Sequence, residues 1–568
     1  MKPKKKKTKV NIFLFILFLF SLSFRLSFLS TRPIGLTPDE AAQGYSAYSI
    51  LKTAKDEWGQ TLPLNLRSFG DFKPPLQTYL MIPSVAVFGL NTFSIRLPNA
   101  LLGSLAPLAL FFLAQTLFSF PVAIISSLLL ATSPWHIPLS RGAFEANLTV
   151  FFFSVGFLFL LKSFKKNHSR LSPLLAALFL GLNLFSYHSA KLITPVFVFL
   201  FFLFFSPPKK SLSNLFPYLK KHFLFIFPFL FFLIFAYSSF FTGGQKRGLD
   251  IAVFNPTDSW QALKDQRWQA LQTGLPSGLA RLFHNKATYT ITQISKNYLS
   301  YLSPEFFITQ GPLEATYGMI PGRGVLWYWQ LPLLLFGAFI AFKKKNHRSL
   351  FLLLLLLLAP LPASLSKGFR AANRVAIMMP WLSLFTAWSL FTLYQTIPIR
   401  LKKGALILFF LVFSLFFVFF LEDYFILGPS HQAQAMLYGR CQAIQQVLEK
   451  SPTEGKIIVS RRLSEPQAYV LFCLSYPPQK AQSSTPAWLS YQDQNLSFLD
   501  QLGQYQLDRF HFQGINLPED LRDQATLIGT PEDFAAHPEI ALETIYYPNG
   551  KPAVQIYFPD LVSVNKNE

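Results

Sequence analysis

Apolar runs of about 20 residues, the length that crosses a ~30 Å bilayer core as a helix, recur along most of this 568-residue chain. They begin near Val10, Leu97, Val122, Leu148, Leu171, Leu192, Phe223, Val325, Leu350, Val375 and Ala405, and several are shortish for a full span. Such repetition points to an α-helical integral membrane protein with about eleven transmembrane helices. Composition agrees: the chain is 51% hydrophobic and 17% aromatic, with 64 Phe, unlike a soluble protein of this size. No fixed-period repeat and no Gly/Ser linker is evident.

Charge sets the expected orientation. The formal net charge is +23, but the lysines sit in short tracts beside apolar runs, which is how topology signals are placed and excludes a nucleic-acid partner. The tracts are Lys2–Lys9, Lys162–Arg170, Lys209–Lys221, Lys343–Arg348 and Arg400–Lys403. With the N-terminus in the cytoplasm, alternating crossings put all five on the cytoplasmic side. The stretch Leu76–Leu90 is only 15 residues long and holds Pro83, so it reads as an interfacial helix. Counting it as a span would move Lys162–Arg170 outside. Met1–Lys9 followed by Val10–Leu29 resembles a signal peptide, but the apolar part is of spanning length and no small-residue cleavage site follows. It reads as an uncleaved first span.

Residues 1–425 are therefore expected to form a multi-pass membrane domain with large outer loops at 31–96 and 242–324. Residues 426–568 lose the apolar runs and read as an extracytoplasmic α/β domain of about 140 residues, enough for its own core. Gln432–Leu448 has helical spacing. Lys456–Ser460 and Ala468–Leu474 read as buried strands, and Glu543–Tyr547 with Val554–Phe558 flank a Pro548-Asn549-Gly550 turn. Cys441 and Cys473 are the two cysteines. They exclude a disulfide framework or a cysteine-rich metal site and leave open whether they pair.

The same count gathers charged residues on the outer face, against the positive-inside bias. Asp39, Asp71, Lys73, Arg141, Glu145, Lys191, Lys367, Arg370 and Arg374 all fall there, so something other than topology holds them. In Thr37-Pro38-Asp39-Glu40, Thr37 can cap a helix, Pro38 suits its first position and Glu40 has capping-box spacing. Neighbouring helix positions point ~100° apart, so Glu40 can close the cap while Asp39 faces a cavity. Lys73-Pro74-Pro75 reads as a rigid, extended element. Arg141 and Glu145 have the spacing of a helical ion pair. Lys367, Arg370 and Arg374 recur at about one-turn spacing and can ring a phosphate.

A carboxylate and several cations at one membrane face suit attack on a sugar carried by a lipid phosphate. Cations neutralise the departing phosphate, and a base, Asp39, takes the acceptor hydroxyl's proton. No phosphate loop, zinc-ligand motif or serine elbow competes. The catalytic candidates are Asp39, Glu40 and Glu145. The candidate donor-phosphate ligands are Lys73, Arg141, Lys191, Arg370 and Arg374, and the candidate substrate contacts are Asp71, Tyr187 and His188. The rival reading is a transporter or flippase of polyprenyl-linked glycans, which calls for charges near mid-bilayer and paired symmetric halves.

These residues resemble a known family, the GT-C glycosyltransferases of the protein O-mannosyltransferase and aminoarabinose-transferase group (family 39-like). The likeness rests on Asp39-Glu40 after the first span, Lys73-Pro74-Pro75-Leu76, and Arg96-Leu97-Pro98-Asn99-Ala100 opening the second span. It continues in Arg141 with an acid four residues on, an aromatic turn ending in Lys191, and Arg370-Ala-Ala-Asn-Arg374 before Pro380. The resemblance covers roughly residues 10–425. It implies a GT-C fold and inverting sugar transfer from a polyprenyl-phosphate donor to a protein, lipid or glycan acceptor at the outer face of a bacterial cytoplasmic membrane. It further implies Asp39 as base, Lys73 and Arg374 as donor-phosphate ligands, and Glu145 as the second-loop acid, where many relatives carry Asp. The group's mannosyltransferases are generally metal-free, while other superfamily members use a divalent cation, so one is possible here. The tail resembles extracytoplasmic domains appended to bacterial members.

Overall fold

The structure is a computed structural model that describes residues 3–165, 169–205, 220–239, 252–253, 255–313, 317–450, 455–494, 496, 498–540 and 542–559. Most of the Lys209–Lys221 tract, part of Lys162–Arg170, and 242–251 of the second outer loop lie outside the described residues.

Each of the eleven apolar runs is a helix. In chain order they are Pro3–Leu26, Thr92–Leu117, Phe120–Ala131, Leu148–Ser163, Leu171–Leu184, His188–Phe205, Phe223–Ser239, Gln330–Lys344, His347–Leu358, Met378–Thr396 and Ile399–Glu422. Among the described residues, six helices are long and apolar enough to cross a membrane: Thr8–Leu26, Thr92–Leu117, Glu145–Ser163, His188–Phe205, His347–Ser364 and Ile399–Gln432. Phe120–Ala131, Leu171–Leu184 and Phe223–Ser239 fall short of that length. At ~1.5 Å per residue, 12 to 17 residues rise only about 18–26 Å. The helices pack through aromatic side chains, with Phe153 and Phe157 both edge-on to the buried Trp381.

Three local structures in the loop 31–96 position the site. Thr37 opens the helix Pro38–Thr53 with a full capping box. A short antiparallel hairpin pairs Leu66 with Lys73 and Arg67 with Phe72, turning at Gly70, whose φ of 114° favours glycine. Pro74 and Pro75 then lead into the helix Leu76–Phe88, so the predicted extended element and the helix after it are both present.

The C-terminal region folds around a six-stranded sheet. Its spatial order is Tyr505–Leu507, Phe510–Gln513, Ile457–Ser460, Thr526–Gly529, Pro552–Tyr557 and Glu543–Tyr546. The three middle strands are parallel and the flanking pairs antiparallel. Ile457–Ser460 is central and buried throughout, as its continuous apolar run predicts. The expected hairpin forms, with Ile545 opposite Val554.

Two sequence expectations are corrected here. Ala468–Leu474 is not a strand but most of the helix Pro466–Cys473, begun by Pro466. It is covered by the sheet on one side and by Pro38–Thr53 on the other, and a helix buried all round loses the apolar periodicity that identifies it. The predicted helix Gln432–Leu448 is interrupted: Leu437 and Gly439 adopt positive φ, and regular helix resumes at Arg440–Lys450. Cys441 and Cys473 form a disulfide with Cα atoms 5.6 Å apart, tying those two helices together.

The C-terminal region packs directly on the loop 31–96. Leu36, Ala41, Tyr45 and Ile95 share one buried cluster with Ile457, Tyr469 and Phe472. Tyr469 donates to the Leu36 carbonyl at 2.9 Å, and Tyr45 to that of Tyr476 at 2.8 Å. A Cβ on Gly44 would sit 2.9 Å from the Phe472 ring, so glycine permits the close approach. Pro38–Thr53 and Pro466–Cys473 therefore run parallel, with their first turns at the same end.

Candidate active site

Asp39 and Glu40, adjacent in the first turn of Pro38–Thr53, have separate environments. Glu40 is fully buried and closes the capping box, accepting from the Thr37 backbone N–H at 3.2 Å. Both its oxygens also meet Arg96, at 2.8 Å from Nε and 3.0 Å from Nη2, and Oε1 accepts from the Ala143 N–H at 2.9 Å. Arg96 in turn donates to the carbonyls of Pro33 and Gly35. With its oxygens committed to these partners, Glu40 clamps the loop that carries Asp39.

Asp39 keeps 29% of its side-chain surface exposed and meets Lys73 Nζ at 2.9 Å. Lys73 lies at the same distance from Asp71 and is almost wholly buried. Burial alone would pull the Lys73 ammonium down, but Asp39, Glu145 and Tyr317 outweigh it and hold the group above its ordinary value. Asp71 also accepts from the Phe72 N–H at 2.6 Å, which fixes the hairpin turn behind the lysine.

Glu145 is buried at the mouth of its helix and accepts from Gln43 at 3.2 Å. Gln43 lies one turn beyond Asp39 on the same helix, so Glu145 faces the same cluster. On the opposite side, His188 Nε2 donates to the Phe72 carbonyl at 2.8 Å, and the Tyr187 hydroxyl accepts from Asn373 at 2.9 Å. These contacts join the start of the helix His188–Phe205 and the segment 370–374 to the Lys73 hairpin. Lys191 donates to Ser239 Oγ at 3.1 Å. One helical turn further on, Pro195 begins an apolar cavity of about 290 Å³ lined by Val198, Phe202, Phe225 and Phe229, between His188–Phe205 and Phe223–Ser239.

The remaining cations are placed differently. Arg141 does not pair with Glu145, because residues 141–144 form a bend rather than a helix. Its guanidinium donates to the Phe24, Ser27 and Arg32 carbonyls and packs on Tyr424 and Phe425. These contacts close the loop after the first helix. Arg370 lies 3.4 Å from Glu305 and stacks on Phe369. Arg374 is held by Ser366 and the Lys367 carbonyl, with Gly368 giving its guanidinium room. Arg370 and Arg374 thus have different side-chain partners, Glu305 for one and Ser366 for the other.

One nearby carboxyl escaped the sequence reading. Glu465 caps the helix Pro466–Cys473 at the end where Asp39 lies, with φ of 51° after Ser464 at 56°. It is buried and accepts from Gln467, whose own oxygen accepts from Tyr505. Burial pushes the Glu465 carboxyl up to about 8 against the Gln467 hydrogen bond, and Asp500 and Asp39 add to the rise. The Glu465-Pro466 dipeptide was its one local signal, a helix start hidden inside an apparent strand. Among the described residues no group of three His, Cys, Asp or Glu is placed to hold a metal ion.

Residues 72–235 match the family model described as dolichyl-phosphate-mannose-protein mannosyltransferase. That segment holds Lys73, Arg96, Arg141, Glu145 and Lys191. No curated protein matches. Among solved structures, ArnT from Cupriavidus metallidurans in the apo state aligns over 98% of this chain and 99% of its own, at 12% identity and a TM-score of 0.53. The same protein bound to undecaprenyl phosphate aligns at 10% identity, 98% of both chains and a TM-score of 0.48. AglB from Archaeoglobus fulgidus, in complex with an inhibitory peptide and a dolichol-phosphate, aligns at 14% identity over 97% of this chain and 74% of its own, with a TM-score of 0.49. The first of these likenesses is one of fold. The sequence resemblance to the mannosyltransferase and aminoarabinose-transferase group is borne out, and the chain is a multi-pass membrane protein with an ArnT-like fold.

Proposed function

We propose that this chain is an inverting membrane glycosyltransferase that moves a sugar from a polyprenyl-phosphate donor to an acceptor hydroxyl outside the cytoplasm. The observation that carries the reading is Lys73, buried between Asp39 and Asp71 at 2.9 Å from each, with Asp39 the more exposed carboxylate. The acceptor oxygen attacks the anomeric carbon as the bond to the donor phosphate breaks. Asp39 takes the acceptor proton, and Lys73 with Arg374 neutralises charge growing on the phosphate. The lipid tail lies in the apolar cavity that begins one turn beyond Lys191.

The outward orientation of the site and the C-terminal region rests on the basic tracts and on the Cys441–Cys473 disulfide, a bond that persists in oxidising compartments. The family description of residues 72–235 favours a hexose such as mannose. The test is to incubate the purified protein with a panel of polyprenyl-phosphate sugars and a cell-envelope extract as acceptor source, following release of polyprenyl phosphate. Consumption of one donor supports the reading. Release from none overturns it.

A further inference from the structure

A second cavity, of about 330 Å³, lies on the other face of the loop that carries Asp39, between that loop and the C-terminal region. Ser30, Thr31 and Arg32 line one wall; Tyr438, Arg440 and Gln442 line the other. No Asp or Glu contributes to the lining, although two arginines do. Neither Asp39 nor the Glu40–Arg96 pair lines this cavity, while Gly35, whose carbonyl Arg96 holds, does.

Neither arginine has an ion-pair partner among the described residues. Arg440 is only 8% exposed. Its Nε donates to the Leu463 carbonyl at 2.6 Å and its plane lies over Tyr469, while Nη1 is buried with no hydrogen-bond partner. Arg32 spends Nε on the Phe425 carbonyl and Nη1 on that of Thr31. The buried, unpartnered Nη1 of Arg440, in a cavity that holds a second arginine and no acid, calls for an anion from outside the chain. Just before Tyr438, the non-glycine Leu437 is held in the left-handed region at φ 54°, a strained conformation of a kind that clusters at ligand sites.

Position narrows the ligand. Arg32 follows the first membrane-length helix, and its contact Phe425 follows Ile399–Glu422, so the cavity lies where two such helices end. Beside it Phe28 and Ile426 are each 70% exposed, apolar surface suited to acyl chains. We infer that this cavity binds a phosphate ester through Arg32 and Arg440, with an anionic membrane lipid as its source. The inference is independent of the transferase reading.

The test uses the full chain in detergent and native mass spectrometry with phosphatidylglycerol against phosphatidylcholine, alongside thermal melting in inorganic phosphate. The expected result is selective retention of phosphatidylglycerol, reduced at least tenfold in Arg32→Gln and in Arg440→Gln. Arg32 is part-exposed, so its variant gives a folded comparison should Arg440→Gln unfold. Stabilisation by inorganic phosphate that Arg32→Gln abolishes, without lipid selectivity, would keep the phosphate site and replace the lipid by a soluble ester. Equal retention of both lipids in wild type and Arg32→Gln, with no phosphate effect on melting, overturns the inference.

Discussion

Lys73 Nζ reaches Asp39 Oδ2 at 2.9 Å across two unrelated elements, a two-residue strand and the first turn of a helix. The lysine holds the acid in place while leaving part of it open to solvent. Replacing Asp39 by Asn preserves the shape and removes the proton acceptor. Transfer is expected to fall by about 10²–10⁴-fold with melting nearly unchanged. Unaltered release of polyprenyl phosphate by Asp39→Asn would show that the base lies elsewhere.

Lys73→Gln leaves Asp39, Asp71 and Glu145 together without their cation, and loss of one partner from a buried pair costs about 3–5 kcal/mol. The neighbouring acids hold the folded lysine above its usual 10.5. The stability it contributes is therefore fully present below pH 10.5 and is lost only as pH rises through the higher folded value. The melting difference between Lys73→Gln and wild type should accordingly stay constant from pH 6 to pH 9. A gap that closes within that window would contradict the burial of the pair.

Glu40→Gln and Arg96→Met are expected to lower melting strongly, each by about 3–5 kcal/mol, because each strands a buried charge. The double variant should lose less than the sum of the two, since the second change removes the charge that the first left unpaired. Additive losses in a double-mutant cycle would argue against direct coupling. Asp39→Asn, one residue away, should show no such loss.

Glu465 has a folded-state value of about 8 against an ordinary 4.5. A raised carboxyl makes the native state bind the proton more tightly, so stability falls as pH rises from about 4.5 to 8 and is level above that. Glu465→Gln removes the penalty. Its melting temperature should match wild type near pH 4.5 and exceed it increasingly up to pH 8, by an amount corresponding to a few kcal/mol. Parallel melting curves across that range would place the Glu465 carboxyl in water.

The disulfide closes a loop with a sequence separation of 32 residues. Removing it as Cys441→Ser/Cys473→Ser should cost about 2–4 kcal/mol. Dithiothreitol should lower wild-type melting toward that of the double variant and leave the variant itself unmoved. A reductant-insensitive wild type would count against the bond.

Much of the site was legible because its parts are local. Thr37, Pro38 and Glu40 announce a helix start within four residues, and that start places Asp39 on another face from Glu40. The two prolines after Lys73 likewise show that the lysine is held in rigid backbone. What stayed hidden depends on distant contacts. Arg96 meets Glu40 from 56 residues away, which no spacing rule reveals. Arg141 and Glu145 have helical spacing, but the carbonyls ending the first span draw the arginine elsewhere. Ala468–Leu474 looks like a strand because it is apolar throughout, and its helical state depends on a neighbour more than 400 residues earlier. Short apolar runs are ambiguous for this reason.

The parallel packing of Pro38–Thr53 on Pro466–Cys473 bears on biosynthesis. Leu36 and its partner Tyr469 are 433 positions apart, so the helix bearing Asp39 leaves the ribosome long before the surface that supports it. Until Tyr469, Phe472 and Tyr476 arrive, the apolar face of that helix has no lid and the aim of Asp39 is unset. Under the proposed function, the site is complete only once this later-made helix docks on the earlier one, which keeps half-built copies inactive.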